Sequence, residues 1–161
     1  MVTATVTEPD LRALVAGVPD PELPVVTIGD LGVLRDVRVD AAGHVVVEIT
    51  PTYSGCPAME AICDDVLARL GRHGYDDAEV RLVLSPAWTT DWITARGRAA
   101  LREFGIAPPG PAGPVALTLS VRCPRCGSPD TREVSRFGST ACKSLWTCRT
   151  CLEPFDHVKA L

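Results

Sequence analysis

Two pairs of cysteines constrain this chain more than any other feature. Cys123-Pro124-Arg125-Cys126 and Cys148-Arg149-Thr150-Cys151 are separated by 21 residues. A CxxC turn aims two thiolates into one concavity, and two such turns facing each other complete a tetrahedron. The stretch between them is long enough for a hairpin that holds the halves together. The spacing therefore predicts a four-cysteine zinc ribbon, with iron in a rubredoxin-like site as the alternative metal. Two disulfides would need an oxidising compartment. The N-terminus has no basic residue before Arg12 and no compact apolar run, and seven cysteines is an odd number, so the expectation is a reducing cytoplasm without a targeting peptide. No stretch approaches the length needed to cross a bilayer.

Charge is distributed unevenly along the 161 residues. Residues 1–114 carry 9 basic and 16 acidic side chains (9 − 16 = −7), and residues 115–161 carry 7 and 4 (7 − 4 = +3). The sign change supports two domains. Ile106-Ala107-Pro108-Pro109-Gly110-Pro111-Ala112-Gly113-Pro114 reads as the joint, since prolines neither continue a helix nor donate to a sheet. The expected division is 1–106, a linker over 107–114, and a ribbon over 115–161.

Before the joint, hydrophobic periods alternate. Leu11, Leu14, Val15 and Val18 form a helical stripe, with Thr7 as its cap. Val33–Asp40 and His44–Thr50 alternate as strands around Ala41-Ala42-Gly43. Met59, Ile62, Cys63, Val66, Leu67 and Leu70 line a four-turn helix. Ala78–Leu84 reads as a third strand, and a last helix runs from a cap at Asp91 to Phe104, with Gly105 after its end. The order α-β-β-α-β-α gives an α+β protein: a small α/β sandwich on a short mixed sheet, followed by the ribbon as a β domain.

Cys56 lies outside the ribbon, in Thr52-Tyr53-Ser54-Gly55-Cys56-Pro57. Proline suits the first helical position, which places Cys56 at the helix cap. There the free N–H groups and the helix dipole would favour thiolate, making Cys56 more nucleophilic and a better soft-metal ligand than an average cysteine. Cys63 is explained by its helical stripe, and Cys142 by a ribbon loop. Asp20, Glu22 and Asp30 flank a Pro-rich loop, and a carboxylate near a thiolate serves as a hard ligand or proton acceptor. On composition alone these acids fit solvated or capping roles. Trp88 and Trp92 bracket the start of the last helix and suit a core or a partner surface. His44, His73 and His157 show no ligand spacing.

Asp20-Pro21-Glu22-Leu23-Pro24, continuing to Asp30-Leu31-Gly32, resembles the opening motif of the SufT-like iron–sulfur maturation proteins. The likeness runs through Thr50-Pro51-Thr52-Tyr53-Ser54-Gly55-Cys56-Pro57 and Pro86–Trp92 to Gly105-Ile106-Ala107-Pro108-Pro109, covering about residues 8–110. With the ribbon and its Phe137-Gly138-Ser139-Thr140-Ala141-Cys142-Lys143 segment, the chain is similar to the PaaD (PaaJ)-like accessory proteins of bacterial phenylacetate catabolism. The resemblance implies a non-enzymatic maturation factor for the phenylacetyl-CoA epoxidase, a multicomponent monooxygenase, with the system's [2Fe–2S] reductase as client. It implies contact with the iron–sulfur assembly machinery, and a transient iron or cluster at Cys56 supported by Asp20, Glu22 and Asp30. The second thiol would come from the client or from the other protomer of a homodimer. The ribbon, which most small SufT-like proteins lack, would stay loaded with zinc on Cys123, Cys126, Cys148 and Cys151. Two other classes stay open. One is a thiol-dependent enzyme using Cys56, although no Cys–His pairing is evident. The other is a nucleic-acid-binding ribbon, which thin aromatic interleaving and the acidic first domain disfavour.

Overall fold

The structure is a computed structural model that describes residues 8–110 and 120–160. The expected cap Thr7 and the linker residues from Pro111 onward lie outside the described residues. The chain divides into two compact units, Met1–Trp88 and Thr89–Leu161. Among the described residues, no helix is long and apolar enough to cross a membrane.

The first unit is a three-stranded mixed sheet with two helices. Helix α1 (Glu8–Ala16) buries Leu11 and Val15, one turn apart on a single face. Strands β1 (Leu34–Val39) and β2 (Val45–Ile49) pair antiparallel, with an irregularity between Leu34 and Asp36. Helix α2 (Ala58–Gly71) crosses over to β3 (Glu79–Leu82), which pairs parallel with β2. That connection is the α-helical crossover a parallel pair requires. The valine-rich β2 is buried along almost its whole length. Of the stripe expected on α2, Met59, Ile62, Val66 and Leu70 are buried, while Cys63 and Leu67 lie at its margin. Gly29 sits hard against the end of α1. Its N–H donates to Ala16 O at 3.1 Å, and a Cβ there would fall 2.8 Å from Ala16 Cβ and 2.9 Å from Ala16 O. Only glycine allows this approach, which fixes the loop before β1 onto the helix.

The second unit opens with a 3₁₀ turn (Thr90–Trp92) and helix α3 (Ala95–Phe104). The helix starts later than expected. Thr94, not Asp91, is its N-cap, with the Thr94 hydroxyl accepting from Gly97 N at 3.0 Å. Asp91 lies inside the preceding turn, which Thr89 caps. Gly105 ends α3 in the left-handed region at φ 91°, as its position suggested. Arg98 reaches Pro109 O at 2.6 Å and Thr90 O at 2.7 Å. Ala107 then joins the ribbon: its N–H donates to Asp156 O at 2.8 Å and its carbonyl accepts from Val158 N at 3.0 Å. Strands β4 (Thr131–Ser135), β5 (Lys143–Cys148) and β6 (Pro154–Val158) form an antiparallel sheet in that order. Ala107, Val121, Trp146 and Phe155 make its small core together with Cys123 and Cys148.

Candidate functional site

The parallel pair β2–β3 brings two strand ends to one edge of the first sheet. Val83 N donates to Ile49 O at 2.8 Å, and Thr50 N donates to Val33 O at 2.9 Å. The second bond ties the start of the Cys56 loop to the Asp30-Leu31-Gly32 loop. Trp88 secures the latter from the other side, its indole N–H donating to Leu31 O at 2.8 Å. In open α/β sheets, the carboxyl ends of parallel strands are where ligands bind.

From Thr50 the chain turns through Gly55, whose φ of 78° is strained for any side chain although the space around it is open. Cys56 N donates to Tyr53 O at 3.2 Å, and Cys56 O accepts from Met59 N at 3.3 Å. The structure corrects the expected cap. Pro57, in helical conformation, occupies the N-cap position of α2, and no side chain makes a cap hydrogen bond. The Cys56 sulfur is thus one residue further out than the sequence suggested. The thiol is half-buried, not sealed in the core, so it can be reached. Cys63 is also half-buried, and burial followed by the nearby Asp64 charge pushes its thiol pKa up.

Asp20 and Asp30 are buried, and both hold backbone. Asp20 Oδ1 accepts from Glu22 N at 2.9 Å and Leu23 N at 2.7 Å. Asp30 Oδ2 accepts from Thr27 N and the Thr27 hydroxyl, both at 3.0 Å, while Thr27 Oγ1 accepts from Asp30 N at 3.1 Å. Glu22 is half-buried. The capping alternative raised from composition therefore describes a large part of what the two aspartates do. Sequence reasoning missed Thr50. It is 1% exposed, and its hydroxyl has no hydrogen-bond partner among the described residues. Its signal was a single polar residue closing an otherwise valine-rich strand, immediately before the loop.

The four ribbon sulfurs converge. All lie within 4.8 Å of one another, with Cys123–Cys151 at 3.7 Å and Cys126–Cys148 at 3.6 Å. Zinc–sulfur bonds of about 2.3 Å at tetrahedral angles set sulfur–sulfur edges of about 3.8 Å, so the cluster fits zinc and is far too open for disulfides. The two knuckles repeat one design. In each, the first cysteine's N–H donates five residues onward, Cys123 to Ser128 O and Cys148 to Glu153 O, both at 3.0 Å. Each turns at a positive φ, 75° at Gly127 and 67° at Leu152. The N–H groups of Cys151 and Thr150 point at Cys148 Sγ and draw that thiol down to about 6. Against the Glu153 backbone contact that favours its thiolate, Cys151 is pushed up to about 12 by burial and by the other sulfurs. Four thiolates this close repel one another, and a divalent cation resolves the conflict. The site is closed, so the metal it holds is structural.

Cys142 stands apart from that cluster, with its sulfur 3.0 Å from the Thr140 hydroxyl. His157 is buried beside Ser144, Nδ1 to Oγ at 3.4 Å, and burial pulls its pKa down to about 4.

Residues 8–82 match the family described as iron-sulfur cluster assembly protein, and residues 107–159 match the PaaD zinc beta ribbon domain. The chain is 47% identical, over 98% of both lengths, to an Escherichia coli (strain K12) protein whose name makes it a component of 1,2-phenylacetyl-CoA epoxidase. It is 39% identical to the Staphylococcus aureus Fe-S protein maturation auxiliary factor SufT, covering 51% of this chain and 93% of that one. The crystal structure of a DUF59 domain from Bacillus anthracis superposes with a TM-score of 0.54 at 33% identity, covering 58% of this chain and 90% of the other. A conserved hypothetical protein of Thermotoga maritima gives 0.51 at 28% identity, covering 65% and 99%. The chain belongs to the PaaD family, in which an iron–sulfur cluster assembly domain is followed by a zinc beta ribbon.

Proposed function

We propose that this PaaD-family chain is an accessory factor that delivers iron or an iron–sulfur cluster to the phenylacetyl-CoA epoxidase system in the cytoplasm, with the system's [2Fe–2S] reductase as client. The observation that carries the reading is the separation of two kinds of sulfur. Cys56 is reachable, at the strand-end edge of the first unit, while the four ribbon sulfurs saturate one another's site. Two sets of names support it: relatives sharing the first domain are named Fe–S maturation auxiliary factors, and the full-length relative is named as part of the epoxidase.

The cargo iron is the substrate here. Cys56 thiolate supplies one soft ligand, which leaves the remaining positions for client thiols to occupy. Transfer is ligand exchange: each incoming thiol gives up its proton as its sulfur bonds iron, and Cys56 takes one up when its own bond breaks. No electron changes hands. Asp20, Glu22 and Asp30 shape the neighbouring loop and hold acceptor oxygens near the exchange. A second thiol from a homodimer partner or from the client completes the transient site. Residues 1–106 then handle cargo and 115–161 hold zinc, joined by 107–114.

The test is a strain whose sole copy carries Cys56→Ser. That variant is expected to fold, to keep its zinc, and to lower cluster occupancy in the reductase. Unchanged occupancy together with unchanged epoxidase activity would refute the reading.

A further inference from the structure

At the end of the ribbon away from the four sulfurs, the Phe137–Lys143 segment is built with more care than a plain hairpin turn requires. Gly138 N donates to Lys143 O at 2.8 Å, and a Cβ on Gly138 would lie 2.6 Å from Asp156 Oδ1. Ser139 Oγ donates to Asp156 Oδ2 at 2.9 Å. Lys143, 4% exposed, puts its Nζ 3.8 Å from the same oxygen. The Asp156 charge is therefore engaged inside the loop, and the loop is pinned to β6.

This rigid frame holds apolar side chains outward. The β4–β5 register slips between Glu133 and Ser135, which makes Val134 the extra residue of a bulge, and bulges re-aim side chains. Val134 is 51% exposed and Phe137 is 69% exposed. Lys159 Nζ sits 4.7 Å from the Phe137 ring centroid and donates to Arg136 O at 3.0 Å. The aromatic ring is thus braced by a cation, and the exposed Arg136 precedes it in the chain. Glu133 is the nearby exposed acid. The thiolate centre lies at the other end of β5, roughly 17 Å away for six extended residues. That is beyond a Debye length at physiological salt, so its negative charge does not offset Arg136 and Lys159 here.

We propose that Val134, Arg136, Phe137 and Lys159 form a docking surface for a protein partner that presents an apolar socket ringed by carboxylates. Charge complementarity selects that partner. Aromatic and arginine anchors surrounded by a charged rim are the usual core of such contacts. The inference deepens the maturation reading and rests on it for the choice of probe.

The experiment measures binding of the full-length, zinc-loaded chain to the purified reductase and oxygenase components of the epoxidase, and to a single-stranded DNA oligonucleotide. The wild type should bind one of the protein components, more weakly as salt rises. Phe137→Ser and the double variant Arg136→Glu/Lys159→Glu should each weaken that binding at least tenfold, with zinc content unchanged, while Cys56→Ser binds as the wild type does. Variants that bind like the wild type would overturn the docking surface and leave the maturation reading standing. A wild type that binds no epoxidase protein would overturn both. Losses confined to the oligonucleotide would overturn the surface in favour of nucleic acid.

Discussion

Replacing Thr50 with valine tests the edge where the Cys56 loop begins. The hydroxyl is buried without a partner among the described residues, and a buried unpaired hydroxyl costs about 1–3 kcal/mol. Valine has nearly the same shape and exchanges that oxygen for a methyl worth about 0.8 kcal/mol when buried. Some of this gain is lost because the methyl is slightly larger. The Thr50 N–H that bonds Val33 O survives, so the loop stays anchored. The expected net effect is a stabilisation of about 1–2 kcal/mol. A unit of this size responds by roughly 4–8 °C per kcal/mol, a shift that calorimetry of the zinc-loaded chain would resolve. Thr50→Ser, which keeps the hydroxyl and loses a methyl, should instead destabilise by about 1 kcal/mol. If Thr50→Val lowers the midpoint, the hydroxyl is satisfied in solution and the orphan argument is wrong. If stability rises while cluster delivery falls, the hydroxyl is kept for the site at the expense of the fold, as functional residues often are.

Cys123→Ser, or removal of zinc by a chelator, should unfold the ribbon and leave the first unit intact, because metal binding and folding are coupled in so small a core. Limited proteolysis checks this, and full resistance of the metal-free ribbon would contradict it. Cys56 should alkylate faster than Cys63 near neutral pH. The raised pKa of Cys63 leaves it less thiolate there, and the gap should close as the pH climbs past its titration. Mass spectrometry of the native protein reads both, and an inert Cys56 would remove it as the cargo thiol.

Much of this architecture is legible in local sequence. The 3.6-residue stripe of α2, the valine alternation of β2 and the glycine after Phe104 each specify their element without help from the rest of the chain. The four ribbon cysteines are legible because two short spacings meet one geometric demand of a tetrahedral ion. What stays hidden depends on long-range partners. Asp91 and Thr94 are both plausible caps, and the choice falls to Thr94 because the chain takes a separate 3₁₀ turn first. In the proline-rich joint, the composition conceals Ala107, whose single N–H and C=O are enough to bridge onto β6. At Cys56, the helix starts one residue later than the proline rule places it. The acids of the first loop look like free carboxylates in sequence, and only the folded chain shows their oxygens turned onto backbone N–H groups.

The placement of the sulfurs in the two units argues for why cargo would be handled at one and not the other. Cys123 and Cys148 are members of the ribbon's apolar core, 2% and 1% exposed, packed with Val121, Trp146 and Phe155. Releasing a ligand there to admit a client thiol would open that core and leave crowded thiols unneutralised, so exchange at the ribbon would amount to unfolding it. Cys56 is under no such constraint: it lies in a turn outside the sheet, its backbone bonds are made by N and O rather than by sulfur, and binding or releasing a metal need not disturb them. A protein that must give up its cargo repeatedly while keeping its shape therefore has reason to put the exchangeable bond at Cys56, and to use the saturated site only to hold the docking module together.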